Sequence, residues 1–301
     1  MKNNKPVFLT GATGFVGGHL AARLAAEGHR IRCLVRRLDH RRAAYLKDLD
    51  AELAAGDILN PDALREAIEG CGAVIHLVGI ITEPPGFTFK QVHVKGTVNV
   101  LDAAAAAGVR RYVHMSALGA GSDASTTYFQ TKWQAEEAVR ASGLDYTIFR
   151  PSIIYGPGGE FINMLLRQIR LMPLVPVIGD GNYRMQPVSV HDVAFCFSRA
   201  LADGGTIGEE YELGGPESLT YNELVHTICR AAGKRRALIH LPLALVRPVV
   251  RLLERFLRHS PVTTDQLKML LAGNVCDTTR MREHFGIEPV EFEKGIRQML
   301  A

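Results

Sequence analysis

The apolar positions of the first half alternate between two periods. The run Pro6-Val7-Phe8-Leu9 reads as a strand, and residues 15–27, ended by Gly28, read as a helix. Residues 30–35 form a second strand, and 51–54 a weak third closed by Gly56-Asp57. Asn60-Pro61 opens a helix through Ile68, with the proline where helices accept one. Residues 73–78 are almost continuously apolar, as in a parallel strand covered on both faces. Helices at 91–107 and 127–142 then alternate with strands at 111–115 and 146–149. This alternation predicts right-handed βαβ units and an α/β fold built on a doubly wound parallel sheet.

Prolines and glycines break the pattern in the second half, at Pro151, Gly156-Pro157-Gly158-Gly159, Pro173, Pro176 and Gly179. Helical patterns return at 221–232 and 243–257. The division expected is a nucleotide-binding domain of 1–155 plus about 183–215. A smaller C-terminal cap of about 156–182 and 216–301 would close over the sheet's C-terminal edge.

Composition narrows the class. The 301 residues carry a net charge of +4, too small an excess to argue for nucleic acid, and no aromatic–basic interleaving of an RNA-binding sheet is present. Cys33, Cys71, Cys196, Cys229 and Cys276 are far apart with no Cys-x-x-Cys, so neither a metal site nor a redox pair is expected. Cys33, Cys71 and Cys196 read as core thiols of a reducing compartment. No secretory leader or membrane span is read, so a cytoplasmic setting is expected, with attachment at an inner membrane as an alternative.

The motif richest in chemistry is Gly11-Ala12-Thr13-Gly14-Phe15-Val16-Gly17, placed between a strand and a helix. Gly11 suits the tight turn, Gly14 lets a pyrophosphate approach the backbone, and Gly17 lets helix and strand pack closely. The helix start would hold the pyrophosphate. A second constellation is Tyr128-x-x-x-Lys132, one face of a helix. A nearby ammonium is expected to lower the phenol's pKa for acid–base work and to reach a cofactor ribose. Ser116, at the end of the preceding strand, could bond a substrate carbonyl or alcohol.

These motifs, with Arg150-Pro151-Ser152-Ile153-Ile154-Tyr155-Gly156, resemble the short-chain dehydrogenase/reductase superfamily, and the length and cap resemble its extended, epimerase/dehydratase-like branch. Ser116-Ala117-Leu118-Gly119, residues 186–194 and Asp265-Gln266-Leu267 with Asn274-Val275 are similar to an atypical subgroup. That subgroup includes the nucleotide-binding accessory subunit of respiratory complex I and its stand-alone bacterial relatives. The resemblance implies a Rossmann-type domain with Tyr128 as general acid/base, Lys132 as its partner and ribose ligand, and Ser116 as substrate polariser. It further implies Asp57 and Ile58 at the adenine, Val78 and Gly79 under the ribose, and Pro151 and Ile153 against the nicotinamide.

Two departures from the family pattern matter. The second strand ends in Val35-Arg36-Arg37, with no carboxylate before Asp39. Two guanidinium groups suit a 2′-phosphate, which favours NADP(H) over NAD(H). His93 stands where many relatives have asparagine, so it either relays a proton or packs. His191-Asp192 is either an acid–base pair or, as the resemblance implies, a strand-to-helix corner capped by the aspartate. Arg184 is either a substrate contact or a surface charge. Residues 243–259 set Leu243, Val246, Val250, Leu253 and Leu257 against Arg247, Arg251, Arg255 and Arg258. The segment is either a cap helix or a peripheral anchor on an anionic membrane, and Pro248 would kink it outside a first turn. Two functions are thus compatible with the chain. One is an NADP(H)-dependent oxidoreductase or epimerase acting on an unidentified small molecule, with a homodimer as one state. The other is a nucleotide-binding accessory or assembly protein tied to respiratory complex I or quinone metabolism, with little turnover.

Overall fold

The computed structural model describes residues 5–256 and 262–301; Leu257, Arg258 and His259 of the basic amphipathic stretch lie outside the described residues. In chain order the elements are β1 (Val7–Thr10), α1 (Phe15–Ala26), β2 (Ile31–Val35), α2 (Arg41–Asp48), β3 (Glu52–Ala55), α3 (Pro61–Ile68) and β4 (Ala73–His76). A π-helical turn (Lys90–Lys95) leads into α4 (Gly96–Ala106), followed by β5 (Arg111–Met115), α5 (Thr127–Ala141) and β6 (Asp145–Pro151). Then come β7 (Ile154–Tyr155), α6 (Glu160–Leu171), β8 (Leu174–Ile178), β9 (Arg184–Met185), β10 (Val188–Ser189), α7 (Val190–Ala202) and β11 (Glu209–Leu213). The chain ends with β12 (Leu219–Thr220), α8 (Tyr221–Ala231), β13 (Ala237–Leu241), α9 (Leu243–Phe256), α10 (Thr264–Ala272), α11 (Thr279–Phe285) and α12 (Phe292–Leu300).

Two compact units result, Met1–Arg150 with Val193–Tyr211, and Pro151–Asp192 with Glu212–Ala301. The first holds a seven-stranded sheet in the order β11-β6-β5-β4-β1-β2-β3. Its pairs β1/β2, β1/β4, β2/β3, β4/β5 and β5/β6 are all parallel. All four residues of β1 and of β4 are buried, which is why those stretches read as apolar without alternation. Strand order reverses between β1 and β4, and that reversal opens a crevice at their C-terminal ends. Phe8, Leu34, Val74, Val100, Tyr112 and Ile148 are among the side chains that fill this unit's core. The fold is the α/β, Rossmann-type doubly wound sheet that the hydrophobic pattern predicts.

The second unit has three small two-stranded sheets, β10/β7 and β13/β8 parallel and β12/β9 antiparallel. Its core gathers Tyr155, Leu165, Val175, Leu224, Phe292 and Ile296, among others. Residues 151–155, 183–192 and 212–215, assigned from sequence to the nucleotide-binding part, fall in this unit, where β7, β9 and β10 find their partners. Pro248 lies inside α9 rather than in its first turn, and the helix continues through it to Phe256. Cys33, Cys71, Cys196 and Cys229 are buried, and Cys276 is half-buried.

Candidate functional site

The glycine loop is built as its spacing requires. Gly11 turns the chain at φ +76°, and the Gly14 amide donates back to the Gly11 carbonyl at 2.8 Å. A Cβ at Gly17 would stand 2.7 Å from Ala12 Cα, so only glycine permits this contact between helix and loop. Helix α1 starts at Phe15 and Val16 with no side-chain cap, and its ladder opens with the Gly18 amide donating to Gly14 at 3.2 Å. First-turn amides are thereby left for an anionic ligand.

A cavity of about 340 Å³ extends from this loop within the first unit. Of the residues singled out from sequence, Gly11, Thr13, Gly14, Arg36, Arg37, Asp57, Ile58, Val78 and Gly79 line it. Sequence reasoning missed Leu34, Ile80, Phe87 and Val92, which give the cavity an apolar slot suited to a planar base, and His40. It also missed two positioning groups. Asn99 donates to the Ile58 carbonyl at 2.8 Å, and Asp57 Oδ1 accepts from the Leu59 amide at 2.9 Å, which together fix the loop after β3.

The basic end of the cavity differs from expectation. Arg37 is paired with Asp39 through two bonds, at 2.9 and 3.1 Å, and both side chains are more than 70 % exposed. Arg36 has no side-chain partner among the described residues. Arg42, on α2, donates to the Thr13 carbonyl at 2.7 Å and so joins the glycine loop to the basic turn. The sequence hid Arg42 because α2 buries only Ala43 and Leu46 and shows no helical stripe.

Helix α5 carries Tyr128 and Lys132. Lys132 is buried, and its Nζ donates to the Met115 carbonyl at 2.6 Å. Burial lowers its pKa to about 8, against the opposing pull of Glu136. A Cβ at Gly79 would stand 3.8 Å from Lys132 Nζ and 3.7 Å from His93 Nε2, so both groups lie beneath the cavity wall at Gly79. Tyr128 is half-buried among Phe89, His93 and Phe129, whose ring centroids are 5.8, 5.4 and 5.2 Å away, all edge-on. Its phenol is pushed up to about 12 by burial. The ammonium of Lys132, committed to Met115, does not lower it, contrary to the expectation from spacing.

His93 sits in the π-helical turn, fully buried. Thr131 Oγ1 donates to the carbonyls of Thr127 and Tyr128 at 2.8 and 2.9 Å and lies 2.9 Å from His93 Nδ1. His93 Nε2 lies 3.1 Å from both the amide and the carbonyl of Ile80. Burial and the Lys132 charge hold the ring neutral, with its pKa lowered to about 3. With both nitrogens engaged, His93 packs and orients.

Ser116 is placed differently from its expected role. Its amide donates to the Phe149 carbonyl at 2.7 Å, which extends the strand pairing past Met115. Its Oγ is closed off from solvent beside the Glu136 carboxylate, without a partner at hydrogen-bond geometry among the described residues. Glu136, which sequence reasoning missed, is wholly buried and is gripped by Arg150 at 2.8 and 2.5 Å and by Arg140 at 2.8 Å. Its signal was one further step of four residues along the stripe from Tyr128 through Lys132.

Pro151 and Ile153 belong to the second unit, where the Ile153 carbonyl accepts from the Val188 amide at 3.0 Å. Arg184 is exposed and bonded to Ser218 Oγ at 3.0 Å and to the Ser218 carbonyl. Asp192 does not cap α7. It lies in the first turn, and its Oδ2 accepts from the Val290 amide at 3.0 Å.

The chain matches the sequence model described as the NAD dependent epimerase/dehydratase family over residues 7–214. It is 33% identical over 241 residues to the ceramide reductase of Caulobacter vibrioides, covering 78% of this chain and 73% of that one. It is 27% identical over 286 residues to the mitochondrial NADH-ubiquinone oxidoreductase 40 kDa subunit of Neurospora crassa, covering 93% and 75%. In fold it is similar to DesIV, a dTDP-glucose 4,6-dehydratase of Streptomyces venezuelae solved with NAD and TYD bound, at TM-score 0.77 and 22% identity over 98% and 95% of the two chains. The chain therefore belongs to the NAD dependent epimerase/dehydratase family.

Proposed function

We propose that this protein is an NADP(H)-dependent oxidoreductase that reduces a carbonyl group on an apolar small molecule, with Tyr128 as proton donor. The observation that carries the reading is the pairing of Tyr128 and Lys132 on α5 with a cavity lined by Gly79, where an added Cβ would stand 3.8 Å from Lys132 Nζ. Bound in that cavity, a nicotinamide cofactor would supply the hydride. The cradle fits such a group: Gly17 tolerates no side chain, and the start of α1 carries no cap.

A phenol pushed up to about 12 holds its proton at neutral pH, so Tyr128 carries the proton that a carbonyl oxygen would take up on reduction. Lys132 is mostly charged below its pKa of about 8, and its ammonium would hold the cofactor ribose. His93 is already saturated and serves to orient Tyr128. The edges of Phe89 and Phe129 around the phenol favour an apolar substrate. The relative named ceramide reductase has a reductive name as well. Preference for the 2′-phosphate rests on Arg36, assisted by Arg37, whose exposed pair with Asp39 is worth little and is easily exchanged for a phosphate.

The test is a titration of the protein with NADPH and NADH, followed by cofactor fluorescence, beside a carbonyl screen. NADPH should bind more tightly, and Arg36→Ala should weaken it by roughly tenfold while leaving NADH nearly unchanged. Tyr128→Phe should keep NADPH binding and lose roughly a hundredfold or more in turnover. Preferential NADH binding overturns the cofactor assignment. Turnover that survives Tyr128→Phe overturns the proton donor.

A further inference from the structure

Helix α9 in the second unit presents three faces. Val250 is buried, and Leu243, Val246 and Leu253 on the same side are half-buried. Leu245, Val249, Leu252 and Phe256 recur at i, i+4, i+7 and i+11, a single row along the axis, and are 66, 54, 57 and 74 % exposed. Arg247, Arg251 and Arg255 form a second row, roughly a third of a turn away, and all three are exposed. None of the three has a carboxylate partner among the described residues. Glu254, between them in sequence, is committed to the amide and hydroxyl of Thr264 at 2.7 and 2.5 Å.

A row of four large apolar side chains in water is unusual for a surface helix, and its position beside unpaired arginines indicates what would cover it. We propose that α9 lies on the surface of an anionic lipid bilayer, with the Leu245–Phe256 row sunk among the acyl chains and the arginine row on lipid phosphates. Guanidinium groups match phosphate oxygens in a forked geometry, and their long stems let the charge reach the headgroups while the helix lies flat. No helix among the described residues is long and apolar enough to cross a membrane, so this contact is of the lying kind. A second copy is a poorer occupant, because an isologous contact would set like-charged arginine rows beside one another.

The test uses the full chain with vesicles of phosphatidylcholine alone and of equal parts phosphatidylcholine and phosphatidylglycerol, read by co-sedimentation and by light-scattering mass. The protein should sediment with the anionic vesicles and not with the neutral ones. Replacing Arg247, Arg251 and Arg255 together by glutamate should lower partitioning by on the order of a hundredfold, since each basic side chain near the surface contributes about 1 kcal/mol. A Leu245→Ser, Val249→Ser, Leu252→Ser variant should lose binding as well. Thermal midpoints near wild type would show that both variants fold, independently of any cofactor. No binding to anionic vesicles, or binding that neither variant reduces, overturns the proposal. So does a dimer that only the serine variant dissociates, which would make the row an interface between copies.

Discussion

Lys132 carries a buried charge at a cost in stability. Its ammonium is buried, bonded to the Met115 carbonyl, with a pKa lowered to about 8 chiefly by burial. An unfolded chain holds that proton up to about pH 10.4, so the unfolded state binds more protons between about 8 and 10.4. The penalty of burying the charge is therefore complete below pH 8 and fades as pH rises through that window. Lys132→Met keeps the length of the side chain and removes the charge. It should raise unfolding free energy by ~1–3 kcal/mol at pH 7, lose that advantage by about pH 10.5, and abolish cofactor-dependent turnover. Urea unfolding at the two pH values measures this, and a variant less stable than wild type at pH 7 would mean that the Met115 bond and Glu136 outweigh burial. The spacing of Tyr128 and Lys132 made the pair legible in the sequence. The commitment of Nζ to a backbone carbonyl was not, because it depends on a strand 17 residues away.

At the scale of the element, α5 decides whether the site is assembled. Tyr128, Lys132 and Glu136 lie at steps of four, and Thr131, which holds His93, lies one residue before Lys132. Glu136 ties the helix to β6 through Arg150, while Glu210 of β11 bonds Arg140 and Arg150 at 2.6 and 3.0 Å. Glu136→Gln keeps the shape and removes the charge between two guanidinium groups. It should destabilise the fold by ~2–4 kcal/mol, seen as a lower denaturant midpoint at unchanged slope. An unchanged midpoint would show that Glu210 alone satisfies both arginines. Elements with a continuous apolar run or a broad stripe, such as β1, β4 and α1, could be read directly. Helix α2 could not, because only Ala43 and Leu46 are buried. The turn bearing His93 was read as plain α-helix because a π-turn leaves no period of its own over six residues. Ser116 directly follows β5, as its sequence position suggests, but its pairing with Phe149 continues the strand and turns its hydroxyl toward Glu136.

At the scale of the whole molecule, the stability of the chain toward acid is set by histidines in the layer behind the site. His76 stacks on His114 with centroids 5.5 Å apart, and Tyr112, on the same strand as His114, lies 6.2 Å from His114 and 6.4 Å from His76. His76 bridges two buried hydroxyls: Thr97 Oγ1 donates to the His93 carbonyl at 2.6 Å and so accepts from His76 Nε2 at 3.2 Å, leaving Nδ1 to accept from Thr10 at 2.7 Å. His114 has neither nitrogen bonded among the described residues. Burial first, and then the Lys132 charge, lower all three pKa values, to about 3 for His76 and His93 and well below the ordinary range for His114. A base whose folded pKa is depressed leaves the unfolded state binding more protons, so stability falls as pH drops through about 6.5 and continues to fall toward the folded values. Each histidine contributes ~1.4 kcal/mol per pH unit in that window, so the three together remove about 4 kcal/mol between pH 6 and 5. Asp192, whose carboxyl burial raises, works in the opposite direction, but it is one group against three. Thermal midpoints should therefore drop steeply below pH 6.5, and His114→Phe, which replaces the two unbonded nitrogens with carbon, should flatten the slope by about a third. A melting temperature constant from pH 7 to pH 5 would mean that these rings take up protons in the folded state, and the neutral layer behind the site would have to be abandoned.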